Sequence, residues 1–191
     1  MRSFIAIELD QETKQYLSEI QQNSRAFCRK GSYTPRENML LNFYFLGEID
    51  RDDIPYVQEA MFEVGKRTAP FTLSLNELNF FTKGNFATMV TTLNKHKSME
   101  GLFFGLSKSL SRQGFGKDKT GLTSHITLGK DIIAQKGFAD VQKKITVEPR
   151  EITVEKIVLI ESKRRGVDLF YKTLFTQPLT GTDRKKRTPT K

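Results

Sequence analysis

Apolar residues along the chain switch repeatedly between a two-residue and a three-to-four-residue rhythm, which predicts an α+β fold with helices and strands interleaved throughout. Ser3 to Leu9 is short, apolar and β-branched, as suits a strand buried in a sheet. Asp10 is placed to cap the helix that follows. Leu17, Ile20 and Phe27 give that helix an apolar stripe running to about Arg29, with Gly31 ending it. Pro35 biases its predecessor toward extended geometry, and Leu40 to Leu46 reads as a second strand closed by Gly47. Asp52 or Asp53 opens a second helix, with Ile54, Val57, Met61 and Val64 on one face and an end near Thr68.

The second half repeats this outline. From Phe71 to Phe80 apolar residues alternate with Thr72, Ser74 and Asn76, as in a strand with one wet face, and Thr82 to Asn85 makes a turn into a strand from Ala87 to Leu93. A polar loop, Lys95 to Ser98, carries His96 at the surface. Ser98 to Arg112 is a helix with Leu102, Leu106 and Leu110 at spacing four, broken by Gly114 and Gly116. His125 to Leu128 is a strand, Phe138 to Lys144 a short helix, and Ile152 to Ile160 with Asp168 to Phe175 a hairpin around the basic turn Lys163 to Gly166. The count is seven or eight strands in one domain spanning residues 1–181. Residues 182–191, with no large apolar side chain to bury, read as a basic, disordered tail.

Composition narrows the function. A chain of 191 residues with 15 Phe can bury a single core, and its net charge of +9 favours an anionic partner such as nucleic acid. Cys28, the sole cysteine, excludes an internal disulfide and any multi-cysteine zinc site and fits a reducing, cytoplasmic setting. Neither a signal-peptide core nor a membrane-length apolar run is present. The default is a monomer, with no membrane contact and no protein partner identifiable. Cys28 itself is incidental, near the end of its helix without a histidine partner. The pairs Phe80-Phe81 and Phe103-Phe104 fit core packing.

The run Ser124-His125-Ile126-Thr127-Leu128-Gly129-Lys130 concentrates chemistry. On a strand His125 and Thr127 stand on one face while Ile126 and Leu128 enter the core. The imidazole exchanges a proton near neutral pH, the hydroxyl can hydrogen-bond an anionic oxygen, and Lys130, a step further along that face, supplies a cation for phosphate. A His-x-Thr tripeptide is common by chance. Lys163 to Arg165 is a candidate contact to a polynucleotide backbone. No glycine-rich phosphate loop, nucleophile elbow or zinc-binding histidine pair occurs.

The surroundings add to this. An FIAIEL strand comes first, then a Pro-x-Glu-Asn turn into a strand ending Phe-Leu-Gly, a Gly-Phe before HITLGK, and Glu161-Ser162 followed by Gly166 and Tyr171. In this order they resemble the two-histidine (2H) phosphoesterase superfamily, in its bacterial 2′-5′ RNA ligase-like, RNA 2′,3′-cyclic phosphodiesterase branch. The resemblance covers nearly the whole chain. It implies a bilobal LigT-like α+β fold in which two pseudo-symmetric lobes turn antiparallel sheets toward a central cleft, each contributing one His-x-Thr strand. It also implies that one histidine acts as base and the other as acid, that the threonines bind phosphate, and that neither metal nor cofactor takes part. The partner implied is RNA, or a nucleotide, with a cyclic phosphate.

The first motif departs from that pattern, because Leu40 and Asn42 stand where histidine and threonine belong. Leu40 transfers no proton, whereas Asn42 still offers an amide to a phosphate oxygen. Losing one positioned acid or base costs about 10²–10⁴-fold in rate. Tyr44, taken to share the strand face of Leu40 and Asn42, is a candidate contact for phosphate or base, and its phenol a candidate proton donor. Two readings stand. In the first, a weak metal-independent phosphodiesterase opens a 2′,3′-cyclic phosphate to a 2′-phosphate. His125 transfers the proton, Thr127 and Asn42 hold phosphate, and Lys130 and Tyr44 are auxiliary. In the second, a catalytically inactive pseudoenzyme on the same fold binds an RNA end or nucleotide. A weaker third is hydrolysis of another cyclic or 2′-5′-linked nucleotide, with substrate or water supplying the missing group.

Overall fold

The computed structural model describes residues 1–166 and 168–182, so the expected basic tail, apart from Thr182, lies outside the described residues. In chain order the elements are β1 (Arg2–Glu8), α1 (Gln11–Arg25), β2 (Cys28–Tyr33), β3 (Leu40–Glu48), α2 (Ile54–Gly65), β4 (Phe71–Lys83) and β5 (Phe86–Leu93). They continue as α3 (Lys97–Arg112), β6 (His125–Ala134), α4 (Phe138–Lys144), β7 (Glu151–Val154), β8 (Lys156–Arg165) and β9 (Asp168–Pro178). The strands form two sheets, one of four in the order β3-β1-β8-β9 and one of five in the order β2-β6-β5-β4-β7. Every pairing is antiparallel.

Local chemistry sets the element ends. Asp10 caps α1 as its residue type predicts: its carboxylate accepts from the Thr13 amide at 2.7 Å and the Thr13 hydroxyl at 2.8 Å, a cap worth about 1 kcal/mol. The helix stops at Arg25, however, four residues before the expected end. Cys28–Tyr33 is a strand that the polar string CRKGSY conceals, because an edge strand with one solvated face needs no apolar run. Gly31 is therefore no helix terminator. It lies against β6, where a Cβ would collide with Ile132. His96 is likewise not a surface loop residue. Its Nδ1 accepts from the Ser98 amide at 3.3 Å, capping α3, and its ring stacks on Phe71 with centroids 5.2 Å apart. The apolar stretch Ile152 to Ile160 is two strands of different sheets, β7 pairing with β4 and β8 with β1, which raises the count to nine among the described residues.

Burial divides into two clusters. The larger holds the helix stripes, including Leu17, Val57 and Leu106, with the inward faces of both sheets. The smaller comprises Phe4, Ala6, Leu40, Val158 and Ile160, with Phe45 and Tyr171 packed against it, and coats the other face of the four-stranded sheet. Of the two Phe pairs, Phe80 and Phe103 are in the larger core, whereas Phe81 and Phe104 are exposed. Among the described residues no helix is long and apolar enough to cross a membrane.

Candidate functional site

A cavity of about 410 Å³ opens where the two sheets face one another. The four-stranded sheet contributes Leu40 and Asn42 from β3, Arg164 from β8 and Tyr171 from β9. Thr127, Lys130 and Asp131 of β6 and Tyr33 of β2 come from the five-stranded sheet. Beside it the loop leading into β6 is tied to β3 by the Thr123 hydroxyl, which donates to the Asn42 carbonyl at 2.5 Å.

Two irregularities decide which side chains reach this space. Strict alternation from Thr127 would turn Lys130 into the core. In the β5–β6 ladder, however, Met89 pairs with Gly129 and Val90 with Thr127, leaving Leu128 as an extra residue. Leu128 and Gly129 are both buried, and Lys130 emerges on the side of Thr127. The carbonyl of Leu128 accepts from Gln21 Nε2 at 2.8 Å and from the Thr34 amide at 2.9 Å, so the bulge leaves no orphan acceptor. Gly129 is confined by close approach, since a Cβ there would lie 3.2 Å from the Ser32 carbonyl oxygen. Asp131 follows at φ 53°, a left-handed conformation that aspartate tolerates better than most residues.

The second irregularity corrects the placement of Tyr44. In the β1–β3 ladder Ala6 pairs with Asn42 but Ile5 with Tyr44, so Phe43 is extra and the faces exchange. Leu40 and Asn42 face the cavity, whereas Tyr44 is fully buried in the main core beside Phe103. Its hydroxyl accepts from the Asp118 amide at 3.2 Å, and the Asp118 carboxylate accepts from the Phe45 amide at 2.8 Å. The phenol helps hold the bulge and is not available to a ligand.

His125 begins β6, beside Thr92 of β5 and two residues before Thr127. It is half-buried, with the Phe81 ring edge-on at 5.0 Å between centroids. This burial lowers the imidazole's pKa below the ordinary 6.5, so the ring is neutral at pH 7 and able to accept a proton. Asn42 Oδ1 is buried and has no hydrogen-bond partner among the described residues. Such an acceptor calls for a donor, and a ligand hydroxyl in the cavity would supply one. Tyr33 is less free. Arg25 lies 4.0 Å from its ring centroid, and burial, with Cys28 beside it, pushes its phenol up to about 12.

Sequence reasoning passed over Tyr171 as a site residue. It lines the cavity, touches Phe4 edge-on at 5.1 Å and belongs to the apolar cluster of Leu40. Its register opposite Ser162 was legible only once β8 and β9 were aligned. Of the basic turn, Arg164 reaches the cavity. A larger hollow of about 470 Å³ lies between α2 and α3, where Glu63 pairs with Arg67 at 3.2 Å and Arg112 at 2.6 Å, and Lys108 also lines it. No cluster of three or more potential metal-ligating His, Cys, Asp or Glu occurs among the described residues.

No family model matches the chain. It is 26% identical over 178 residues to an RNA 2′,3′-cyclic phosphodiesterase of Thermotoga maritima, covering 92% of this chain and 94% of the relative. A second protein of that name, from Archaeoglobus fulgidus, is 23% identical over 149 residues, covering 78% and 82%. Among solved structures, TT0787 of Thermus thermophilus superposes with a TM-score of 0.78 at 23% identity, covering 96% of this chain and all of that one. Escherichia coli LigT complexed with 3′-AMP superposes at 0.74 and 20% identity, covering 94% and 98%. LigT has also been crystallised with ATP.

Proposed function

From its standing as a distant homologue of the RNA 2′,3′-cyclic phosphodiesterases with the LigT fold, we propose that the protein is a metal-independent phosphodiesterase of that group. Its substrate is RNA ending in a 2′,3′-cyclic phosphate, which it opens to a 2′-phosphate. The observation that carries this reading is the cavity between the sheets, where Thr127, Asn42 and Lys130 converge; His125, neutral and half-buried, is outside its lining but stands two residues before Thr127 on the same strand. His125 takes a proton from the attacking water. Thr127 and Asn42 hold phosphate oxygens, and Lys130 with Arg164 supplies positive charge. Tyr44 drops out of the set because its ring is in the core. Leu40 and Asn42 face the cavity from the sheet opposite β6, which supports reading them as the first-motif positions of a two-motif cleft.

A second reading follows from Leu40 itself. It is only 7% exposed and sits among apolar neighbours, so the wall that should carry the second proton-transfer group presents a methyl surface instead. On this reading the cavity retains RNA ends without turning them over. The experiment that separates the two is turnover of an RNA oligonucleotide ending in 2′,3′-cyclic phosphate by protein freed of metal with chelator, with binding recorded in parallel. Formation of a 2′-phosphate end is expected. Tight binding without product would establish the pseudoenzyme.

Binding itself should be electrostatic. A Lys130→Ala variant is expected to reduce the slope of log affinity against log salt by about 0.7, the value of one single-strand phosphate contact. An unchanged slope would remove Lys130 from the site.

A further inference from the structure

We propose that the Tyr171 hydroxyl is the general acid of this cavity, protonating the ribose 3′-oxygen as it leaves phosphorus. The proposal rests on the phosphodiesterase reading above and supplies its missing half. In-line displacement needs its base and its acid on opposite sides of phosphorus. His125 and Thr127 belong to the five-stranded sheet, so the acid belongs on the four-stranded one. There Leu40 is inert, and the proton-bearing side chain in contact with its cluster is Tyr171.

The other four tyrosines do not fit. Tyr44 is in the core with its hydroxyl on Asp118. Tyr33 lines the cavity from the sheet of His125 and is engaged with Cys28 and Arg25. The hydroxyl of Tyr16 accepts from the Glu148 amide at 2.7 Å, and Tyr56 is exposed on α2.

The charged and polar groups around Tyr171 suit a donor. Arg2 approaches from β1, Ser162 stands opposite on β8 with Arg164 further along it, and Lys130 and Asp131 face it across the cavity from β6. Burial raises the phenol's pKa and Arg2 opposes part of the rise, so the hydroxyl keeps its proton throughout the neutral range. The cations would stabilise the phenolate during its brief existence. The step balances as follows. The water oxygen bonds to phosphorus as its proton passes to the His125 imidazole. The bond from phosphorus to the 3′-oxygen breaks with its electron pair on oxygen, and the Tyr171 proton completes the 3′-hydroxyl. Solvent then returns the imidazolium proton to the phenolate, leaving a 2′-phosphate and the original protein.

The test compares metal-free wild type, Tyr171→Phe and His125→Ala on two RNA oligonucleotides. One ends in an ordinary 2′,3′-cyclic phosphate. The other carries sulfur in place of the bridging 3′-oxygen, and its thiolate leaves without needing a proton. Tyr171→Phe is expected to slow the oxygen substrate by about 10²-fold with unchanged affinity, and to process the sulfur substrate at close to the wild-type rate. Wild-type activity on the oxygen substrate should fall on the alkaline side only above about pH 10. Equal losses on both substrates, or none on either, would overturn the assignment of Tyr171, as would an alkaline fall near pH 7. Loss in His125→Ala with full activity in Tyr171→Phe refutes Tyr171 alone. No turnover by wild type, or full turnover by His125→Ala, brings down the phosphodiesterase reading as well.

Discussion

Replacing His125 by alanine is expected to lower turnover of an RNA end bearing a 2′,3′-cyclic phosphate by about 10²–10⁴-fold while leaving its affinity within a few-fold of wild type. Rate and affinity would separate because the proposed phosphate contacts, Thr127, Asn42 and Lys130, line the cavity, whereas the proposed role of the imidazole is to act on the water. The pH profile follows from the direction of its shift. Burial beside Phe81 lowers the pKa of the ring, so its base form, half-populated at a pH below 6.5, dominates at neutrality. The wild-type rate should therefore rise with pH through a point below 6.5 and then level off. A histidine acting as the acid would give the opposite limb, with activity confined below that point. Rate measurements between pH 4.5 and about 9 distinguish the two, and a falling limb in the acid range would reverse the role of His125.

The double substitution Leu40→His with Asn42→Thr is expected to raise turnover by about 10²-fold, since it installs an acid whose pKa is far better matched to neutral pH than a phenol's. The exchange has a structural cost. Leu40 is almost fully buried against Phe4, Val158 and Tyr171, and an imidazole there without a partner costs about 1–3 kcal/mol of stability. A bound phosphodiester offsets the desolvation by favouring the charged ring. Melting temperature and rate should be recorded together. Because the new imidazole would duplicate the role proposed for Tyr171, Tyr171→Phe should cost less in this background than in wild type, a non-additivity expected of two groups serving one step. A folded double variant with the wild-type rate would mean that residues 40 and 42 do not stand at the first-motif positions.

What could be read from the sequence was whatever depends on near neighbours. The alternation of β1, the stripe of α3 and the cap at Asp10 all rest on contacts a few residues apart. The placement of His125 beside Thr127 on one strand face is equally local. Tyr44 was misread because its facing is set by Asp118, more than seventy residues away in the chain, which holds the backbone of Phe45 where alternation fails. Lys130 reaches the cavity through the same kind of slip at Leu128, supported by Gln21 from a different helix. A bulge leaves the sequence looking regular, and only the partner strand reveals the extra residue. The division of residues 151–165 between two sheets is likewise invisible in a continuous apolar run.

The apolar lining of the four-stranded sheet bears on how a cycle of this kind would end. The cost of taking an ion out of water grows with the square of its charge, and where Leu40 lines the cavity it supplies no dipole in return. A cyclic diester carries one negative charge, whereas the monoester formed from it approaches two at neutral pH. At Leu40 the product would be the poorer tenant, although Lys130 and Arg164 attract its second charge. On the proposed reading, the leucine standing where a proton donor is expected would thus also weaken the hold on the opened phosphate, against the pull of Lys130 and Arg164.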